Sequence, residues 1–363
     1  MLRALAIDFN SFFASVEKQE RPELRGHPVG IVPIMAETTG CIAVSIEAKA
    51  LGLTRNARVA EARRQCPGLV IVEARPAVYI DYHRRLKDIV ESCAPVKKVQ
   101  SIDELECELS GDLAVPAQAL ALARRIEEKV SRQAGPCLRS SIGIGPNWFI
   151  AKVASDMQKP DGLVLLDNTD LPQKLLRLEL RDFCGIGENM EARLRRAGID
   201  TVEKLYAASR DRLRAIWGSV EGARFYSWMR GEPQEREASR HNTIGHGHVL
   251  PPQLRNDEAA LAVLHRLLQK AAMRLRHSGH SVGDSIQWSG TSAFDPTSGL
   301  LYFSTITSSD GGARAILQLA NYQGSESNNS AVPDSGSTLL MLMPVILGVG
   351  LHRMRRSNAS TAC

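Results

Sequence analysis

The sequence predicts an α+β fold that combines short buried strands with longer amphipathic helices. An apolar run at the N-terminus, ALAI, is typical of a buried strand and leads directly to Asp8. Residues 78–90 predict a helix, because apolar side chains recur at helical spacing with basic ones opposite. Residues 117–130 predict another, rich in Ala, Leu, Arg and Glu. Residues 166–235 predict an all-helical segment.

Two acidic clusters lie far apart in the chain, each after a strand pattern. Asp8 closes the first strand, and Asp103 and Glu104 follow the stretch VKKV of residues 96–99. Two strands of one sheet that end in carboxylates can bring all three side chains to one point. Carboxylates at such short distances repel one another unless cations lie between them. Mg²⁺ is a suitable cation, because it prefers hard oxygen ligands. Such a site fits two-metal nucleotidyl transfer, while a plain cap or turn role is the alternative.

Several sequence blocks follow one another in a distinctive order. They are IDFNSFFASVE at 7–17, continued by PELRGHPV at 22–29, then SIDE at 101–104, SIGIGPN at 141–147 and AKVASDMQKPDG at 151–162. In wording, order and spacing these blocks resemble the Y-family DNA polymerases, the translesion enzymes of the DNA polymerase IV and UmuC type. The resemblance covers residues 1 to about 288.

The resemblance implies a right-hand polymerase. The parts it implies are a palm of mixed sheet and helices (1–20 and 75–165), small fingers (21–74), a helical thumb with a helix-hairpin-helix (166–235) and a truncated little finger (241–288).

The resemblance also implies two Mg²⁺ ions as cofactors. Asp8 and Asp103 would bridge or flank both ions, and the carbonyl of Phe9 would add a ligand. Glu104 would serve the ion nearer the attacking hydroxyl. These three acidic residues are the implied catalytic residues. Asn10 stands where many relatives have a second Asp, and it is not counted as a ligand.

Nucleotide-binding residues are implied by the same motifs. Phe13 occupies the position of the family's steric gate, where a rigid ring excludes a 2′-hydroxyl, and Phe12 would lie beside it against the nucleotide. Lys159 precedes the turn sequence PDG and would bind the triphosphate as a mobile point charge. The alternatives are two core aromatics on the first palm helix and a solvated loop lysine.

The fingers depart from the family pattern. In place of V-A-T-x-x-Y-E-A-R the chain has IAVSIEAK, so that Ala43, Ile46 and Lys49 replace the Thr, Tyr and Arg. Two triphosphate hydrogen bonds should be lost, and a bidentate clamp becomes one ammonium. At about 1.5–3 kcal/mol for each charge-assisted bond, the affinity for nucleotide would fall more than tenfold. Ser45 is a candidate partial substitute, with Lys49 still a nucleotide-binding candidate.

Two further segments are candidates for binding DNA. The sequence CGIGEN contains Gly185 and Gly187, which would let backbone N–H groups approach a phosphate, although a plain helix–helix turn would look the same. A later helix carries Arg266, Lys270 and Arg274 in one basic region. A merely solvated helix face is the alternative there.

Composition is compatible with a nucleic-acid partner and places limits on other classes. Lys and Arg number 45 against 40 Asp and Glu, a net charge of +5. After Trp288 there are four basic and four acidic residues, so the whole excess lies in residues 1–288. The seven cysteines contain no C-x-x-C pair, which favours a reduced, cytosolic chain without a zinc site. No signal peptide is visible at the N-terminus.

The resemblance stops after Trp288. Residues 289–331 are rich in Ser and Gly and predict a linker or a hairpin, formed by 299–307 and 313–319. Residues 332–363 resemble the sorting tail of exported PEP-CTERM proteins, with a short motif, an apolar span and a basic end. That span is short for a transmembrane helix, which needs ~20 residues. A hybrid reading frame would explain why such a tail follows a polymerase.

The leading hypothesis is an error-prone, template-directed DNA polymerase in damage tolerance, located in the cytoplasm, with primer-template DNA and dNTPs as partners. A sliding clamp is a further candidate partner, and the tail is a candidate membrane contact. One alternative is a catalytically impaired DNA-binding scaffold. The other is a hybrid-frame protein that its C-terminal tail anchors.

Overall fold

The computed structural model describes residues 1–233, 244–254 and 256–277, together with four later strands. The strands are β1 Ala4–Phe9, β2 Val29–Val32, β3 Ala43–Val44, β4 Val70–Glu73, β5 Val96–Val99, β6 Glu104–Glu108, β7 Ser140–Gly145, β8 Leu163–Leu165, β9 Ile244–Val249, β10 Ser292–Asp295, β11 Leu300–Phe303, β12 Ile306–Thr307 and β13 Ala313–Leu319.

Helices lie between these strands in the order expected of an α+β chain. They are α1 Phe12–Glu20, α2 Ile46–Ala50, α3 Val59–Gln65, α4 Pro76–Glu91, α5 Pro116–Gln133, α6 Trp148–Met157, α7 Glu188–Arg196, α8 Val202–Ala207, α9 Arg210–Trp217, α10 Val220–Met229 and α11 Asp257–His277. The helices predicted over 78–90 and 117–130 are confirmed as α4 and α5, each with Pro in its first turn. The α+β fold class is likewise confirmed.

The central sheet has the strand order β5-β6-β1-β7-β8. Strand β1 runs antiparallel to both β6 and β7, and β7 is parallel to β8. Because side chains alternate along a strand, β1 has two different faces. Leu5 and Ile7 join the main core with residues of α4 and α5, whereas Ala4 and Ala6 pack with Trp148 and Ala151 of α6.

Helix α6 lies unusually close to its face of the sheet. Gly143 and Gly145 of β7 stand opposite Ala6 and Ala4, so this face carries only small side chains at these positions. A Cβ atom on Gly143 would lie 1.9 Å from the carbonyl oxygen of Ala151 in α6. The small side chains therefore determine how near α6 comes to the strands.

The acidic residues meet because of the antiparallel register, in a way that differs from the prediction. The sequence suggested that both clusters follow the ends of strands. The structure instead places Asp103 in the turn after β5 and makes Glu104 the first residue of β6. Since β6 is antiparallel to β1, its start lies beside the end of β1, and Glu104 stands directly opposite Asp8.

Residues 21–74 form a small sheet with helices α2 and α3. The strand order is β3-β2-β4, with β2 and β4 parallel. Its own core includes Val32, Val44 and Leu53. Lys18 of α1 and Glu47 of α2 form an ion pair that joins this part to the central sheet.

The described residues from 166 to 233 contain helices and turns but no strand. Helices α7 to α10 surround an aromatic core in which Phe149 of α6 contacts Phe183, Phe225 and Trp228. The N-terminal turn of α6 therefore packs against both the central sheet and the helical part of the chain. The prediction of an all-helical segment is confirmed for these residues.

A further α/β unit follows. Helix α11 packs against β9 through a small core that includes Leu250, Val263 and Leu267, and β13 pairs antiparallel with β9 along its length. Of the predicted hairpin, Ile306–Thr307 pairs with β13, while Leu300–Phe303 pairs with β10 instead. Residues 278–288 of the predicted little finger and the tail at 332–363 lie outside the described residues.

No helix in the part of the chain that the structure describes is both long enough and apolar enough to cross a membrane.

We expect Gly143→Ala to destabilise the protein by ~1–3 kcal/mol, because the added methyl group forces α6 away from the sheet. The measurement is the free energy of unfolding from urea titration. Gly68→Ala is the matched control, since no atom lies within 4 Å of the position its Cβ would take. Equal effects of the two substitutions would contradict the close packing of α6.

Candidate active site

Three acidic side chains gather at one edge of the face that α6 covers; we call Asp8, Asp103 and Glu104 the carboxylate cluster. Opposite residues of an antiparallel pair share a face, so Asp8 and Glu104 both point toward α6. Lys152 of α6 reaches both of them. Its Nζ lies 2.5 Å from Oδ2 of Asp8 and 2.9 Å from Oε1 of Glu104.

A second lysine contacts the cluster from the turn after α6. The Nζ of Lys159 lies 2.6 Å from Oδ2 of Asp8 and 2.7 Å from Oδ1 of Asp156. Lys152 also contacts Asp156, at 3.1 Å. Two ammonium groups therefore contact the same oxygen of Asp8, and Asp156 forms an ion pair with each of them.

Asp103 is held by its own turn and by β1. The hydroxyl of Ser101 donates to Oδ1 of Asp103 at 2.6 Å, and the backbone N–H of Phe9 donates to the carbonyl of Asp103 at 2.9 Å. Nδ1 of His83 in α4 lies 2.8 Å from the carbonyl oxygen of Ile102. These contacts attach the turn to β1 and to α4, which limits where the carboxylate can move.

The electrostatics of the cluster are uneven. Burial opposes ionisation of Asp8, but the charges of Lys152 and Lys159 outweigh it and hold the pKa of Asp8 below its ordinary value. Burial raises the pKa of Asp103 and also that of Glu104, in spite of the nearby Lys152. Burial disfavours the charged Lys152, yet Asp8 and Glu104 hold its pKa above the ordinary value.

The donor set of the cluster suits Mg²⁺, because it offers carboxylate oxygens and the nearby carbonyl of Phe9. Within the described residues, no group of three or more His, Cys, Asp or Glu side chains is arranged to hold a metal ion as it stands. The ammonium of Lys152 joins Asp8 and Glu104 instead. The chemistry of the residues therefore fits divalent cations, with lysine charges standing in for them.

Asn10 does not point at the cluster. Its Nδ2 donates to the hydroxyl of Ser141 at 3.0 Å, and its Oδ1 accepts from the backbone N–H of Asp161 at 2.9 Å. Arg139 adds an ion pair with Asp161. Asn10 thus ties the end of β1 to the turn that carries Lys159, which agrees with leaving it out of the metal ligands.

The two phenylalanines of the first block occupy different environments. The ring of Phe12 is 2% exposed and belongs to the main core, which differs from the prediction that it lies against the nucleotide. Ser11, the residue before it, has a left-handed backbone conformation with φ 49°. Phe13 is half-buried and stacks on Tyr79 at 4.4 Å between ring centroids, so its position remains compatible with a steric gate.

The predicted fingers residues also separate. Ser45 is 1% exposed, and its hydroxyl already accepts the backbone N–H groups of Val29 and Ala48. The hydroxyl of Ser45 therefore caps the N-terminus of α2. The role of Ser45 in nucleotide binding stays a prediction. Burial and the charge of Lys159 hold the pKa of Lys49 below its ordinary value, against the opposite influence of Asp8.

The glycines of the predicted helix-hairpin-helix lie beside the active site. Gly185 has φ +95°, and no atom lies within 4 Å of a Cβ placed on it or on Gly187, which precedes α7. The space beside both Cα atoms is therefore open, which leaves room for a ligand to approach the backbone. A cavity of about 600 Å³ lies between this turn and the catalytic edge, lined among others by Gly185, Trp217, Glu104 and Lys152.

The basic residues of α11 share one face. Arg266 and Lys270 are exposed and Arg274 is half-buried, at a spacing of four residues that puts them on one side of the helix. The buried positions Val263 and Leu267 face β9 instead. The structure does not bring these residues into contact with the carboxylate cluster.

Sequence reasoning missed Lys152, Asp156 and His83. Lys152 had a readable signal, because it is the one charged residue within the apolar run WFIAKVA at 148–154. A charged residue on a buried helix face needs partners, and the carboxylates already singled out were suitable ones. His83 carried no comparable signal, because its contact with Ile102 depends on how α4 packs.

Comparisons with known proteins agree with this geometry. A sequence model of the impB/mucB/samB family matches residues 7–156. DNA polymerase IV of Moorella thermoacetica is 35% identical over 283 residues, which cover 76% of this chain and 70% of that protein. DNA polymerase IV 1 of Bacillus subtilis is 31% identical over 275 residues, covering 74% of this chain and 66% of that protein.

Solved structures show the same fold. A Y-family DNA polymerase chimera of Dbh and Dpo4 superposes with a TM-score of 0.69 at 19% identity, covering 90% of this chain and all of that one. An insertion ternary complex of Dbh DNA polymerase gives a TM-score of 0.61 at 20% identity, with the same coverage. Fold and site together define a nucleotidyltransferase of the right-hand polymerase class. Within that class, the chain belongs to the impB/mucB/samB family of Y-family DNA polymerases.

We expect Asn10→Ala to raise the KM for dNTP about fivefold with a smaller effect on kcat. The substitution removes the acceptor for the N–H of Asp161 and loosens the turn that carries Lys159, at a cost of ~1 kcal/mol. Steady-state single-nucleotide insertion measures both constants. Ser141→Ala is the matched control, since it leaves the bond between Asn10 and Asp161 in place. An unchanged KM in Asn10→Ala would contradict this role.

Proposed function

We propose that this chain performs template-directed, error-prone translesion DNA synthesis as a DNA-directed DNA polymerase. The observation that carries the proposal is the carboxylate cluster on neighbouring strands of the central sheet, with two lysines beside it. Membership of a family whose relatives are DNA polymerases IV supports it. The reaction transfers a nucleotide from a dNTP to a primer 3′-hydroxyl and releases pyrophosphate.

Asp8, Asp103, Glu104 and the carbonyl of Phe9 would hold two Mg²⁺ ions. When bound, such ions activate the attacking hydroxyl and neutralise charge on the pyrophosphate. Asp8 is at the end of β1, where it can face both the primer and the triphosphate. Glu104 lines the cavity that leads to the helical part, so it is assigned to the primer side.

Lys159 and Lys49 would bind the triphosphate. Lys159 is about one-third exposed and already contacts Asp8, so it can release that contact and turn to a phosphate. Lys49 lies within electrostatic range of Lys159, Arg55 and Asp8, and this concentration of positive charge favours a polyanion. Phe13 would exclude ribonucleotides, supported from behind by Tyr79. The side chains of Phe12 and Ser45 are buried, so these two residues would contact the nucleotide only through their backbone or after a small rearrangement.

Primer-template DNA would lie across the sheet, the helical part and α11. Gly185 and Gly187 would offer backbone N–H groups to a phosphate, and Arg266, Lys270 and Arg274 would add positive charge farther along the duplex. Contacts of this kind position DNA without reading its sequence. One of the similar structures is an insertion ternary complex of Dbh DNA polymerase, and primer-template DNA with dNTP is the corresponding set of partners proposed for this chain.

The finer expectations about partners and location remain proposals. A cytoplasmic location follows from a polymerase function, and a sliding clamp would supply processivity. The domain boundaries of 1–20 with 75–165, 21–74, 166–235 and 241–288 are proposed as palm, fingers, thumb and little finger. Membrane contact by the tail rests on residues outside the described part of the chain.

A catalytically impaired DNA-binding scaffold is the second candidate. It is favoured by one observation, the replacement of the clamp arginine by Lys49 with Ile46 in place of the tyrosine. The nucleotide would then have fewer hydrogen bonds, while the carboxylate cluster and Lys159 remain present.

Single-nucleotide primer extension with Mg²⁺ separates the two candidates. The unmodified chain should extend a primer, and Asp103→Ala should lower the rate by about a hundredfold or more, because charge building in the transition state loses its stabilisation. Asp112→Ala, which removes an exposed acidic residue of the same segment, should leave the rate unchanged. DNA binding without extension at any dNTP concentration would support the scaffold.

We expect Phe13→Ala to lower discrimination against ribonucleotides by about tenfold or more, since it removes the clash with the 2′-hydroxyl. Insertion of a dNTP and of the matching rNTP is compared by kcat/KM in the same variant. Its dNTP value is the internal control for general damage. Discrimination equal to that of the unmodified chain would show that the ring of Phe13 is not the gate.

A further inference from the structure

Lys152 is a buried charge in a place where a polymerase is proposed to hold metal. Its Nζ contacts Asp8 at 2.5 Å, Glu104 at 2.9 Å and Asp156 at 3.1 Å. Only about a tenth of its side chain is exposed. Two of its three partners are members of the carboxylate cluster.

The backbone determines that Lys152 reaches this place. Helix α6 lies against Gly143 so closely that a Cβ there would be 1.9 Å from the carbonyl oxygen of Ala151. Lys152 is the next residue along α6, and its stem is confined between the helix and the sheet. It therefore has less freedom to leave than Lys159, whose side chain is 36% exposed and which comes from a turn.

The charge balance gives this contact a consequence. Without a cation, Asp8 and Glu104 would repel each other across the paired strands. Lys152 cancels that repulsion. A divalent ion entering between the same carboxylates would meet the ammonium a few ångström away, and like charges at this distance repel strongly in a partly buried site.

We propose that Lys152 is a positioning residue that acts as an internal counter-ion: it holds Asp8 and Glu104 together before metal binds, and it competes with divalent ions for them. The inference rests on the proposed function, because that function assigns the two carboxylates to metal. The affinity of the site for these ions is then determined in part by Lys152. Metal binding then requires the contact between Lys152 and Asp8 to open.

The test is direct binding of Mn²⁺ to the full-length protein without DNA or nucleotide, followed by the electron paramagnetic resonance signal of free Mn²⁺. Lys152→Met keeps the length of the side chain and removes its charge. We expect it to bind Mn²⁺ about tenfold more tightly than the unmodified chain, because the repulsion is gone. Lys152→Arg keeps the charge and should bind as the unmodified chain does. Lys174→Met removes a partly exposed lysine elsewhere and controls for net charge.

Thermal unfolding gives a second readout, and its dependence on Mg²⁺ is the part that a merely structural role would not move. In metal-free buffer Lys152→Met should unfold at a lower temperature, because the buried carboxylates lose their partner. Added Mg²⁺ should then raise its Tm by more than it raises that of the unmodified chain, since a tighter ligand stabilises more. If Lys152→Met does not fold, Lys152→Gln is measured in the same way.

Equal or weaker Mn²⁺ binding by the neutral variants would overturn the inference while leaving the proposed metal site in place. Failure of every variant and of the unmodified chain to bind Mn²⁺ would overturn both. Primer extension tests the proposed function independently, so equal Mn²⁺ binding beside Mg²⁺-dependent extension would overturn only the inference about Lys152.

Discussion

The close contact between α6 and the small-residue face of the central sheet is the constraint on which the rest of the structure depends. Ala4, Ala6, Gly143 and Gly145 leave room for the helix backbone, and the register of β1 then continues the same face to Asp8. Larger side chains at these positions would lift the helix off the strands. The carboxylate cluster therefore lies at the end of a packing surface. The positions of its side chains are determined by the contact between the backbone of α6 and the strands, not by the acidic residues themselves.

Buried carboxylates have two different kinds of environment in this molecule. Glu17 is fully buried, but Arg75 binds it with two hydrogen bonds and Tyr79 donates a third, so the group is satisfied and serves as structure. In the carboxylate cluster, by contrast, burial raises the pKa of Asp103 and of Glu104, although Lys152 contacts Glu104. Carboxylates with perturbed pKa values of this kind are typical of functional sites.

The residues proposed to bind the nucleotide lie on different elements from the carboxylate cluster. The cluster sits on paired strands whose hydrogen bonds hold it, while Lys49 and Lys159 are long side chains at the surface of a helix and a turn. A substitution in residues 42–49 can therefore change the proposed nucleotide contacts without moving the carboxylates. This separation explains how the chain can depart from its family in residues 42–49 and still keep the geometry of the central sheet.

The sequence by itself determined the α+β class, helices α4, α5 and α11, and the identity of the three carboxylates, because hydrophobic spacing and motif wording are local signals. It also singled out Lys159 and the helix-hairpin-helix glycines. Only the tertiary structure showed that Glu104 begins a strand antiparallel to β1, and that the ring of Phe12 points inward. The place of Lys152 likewise depended on how closely a helix approaches two strands. Strand register and the distance between a helix and a sheet arise from contacts between residues far apart in the chain, and no local pattern contains them.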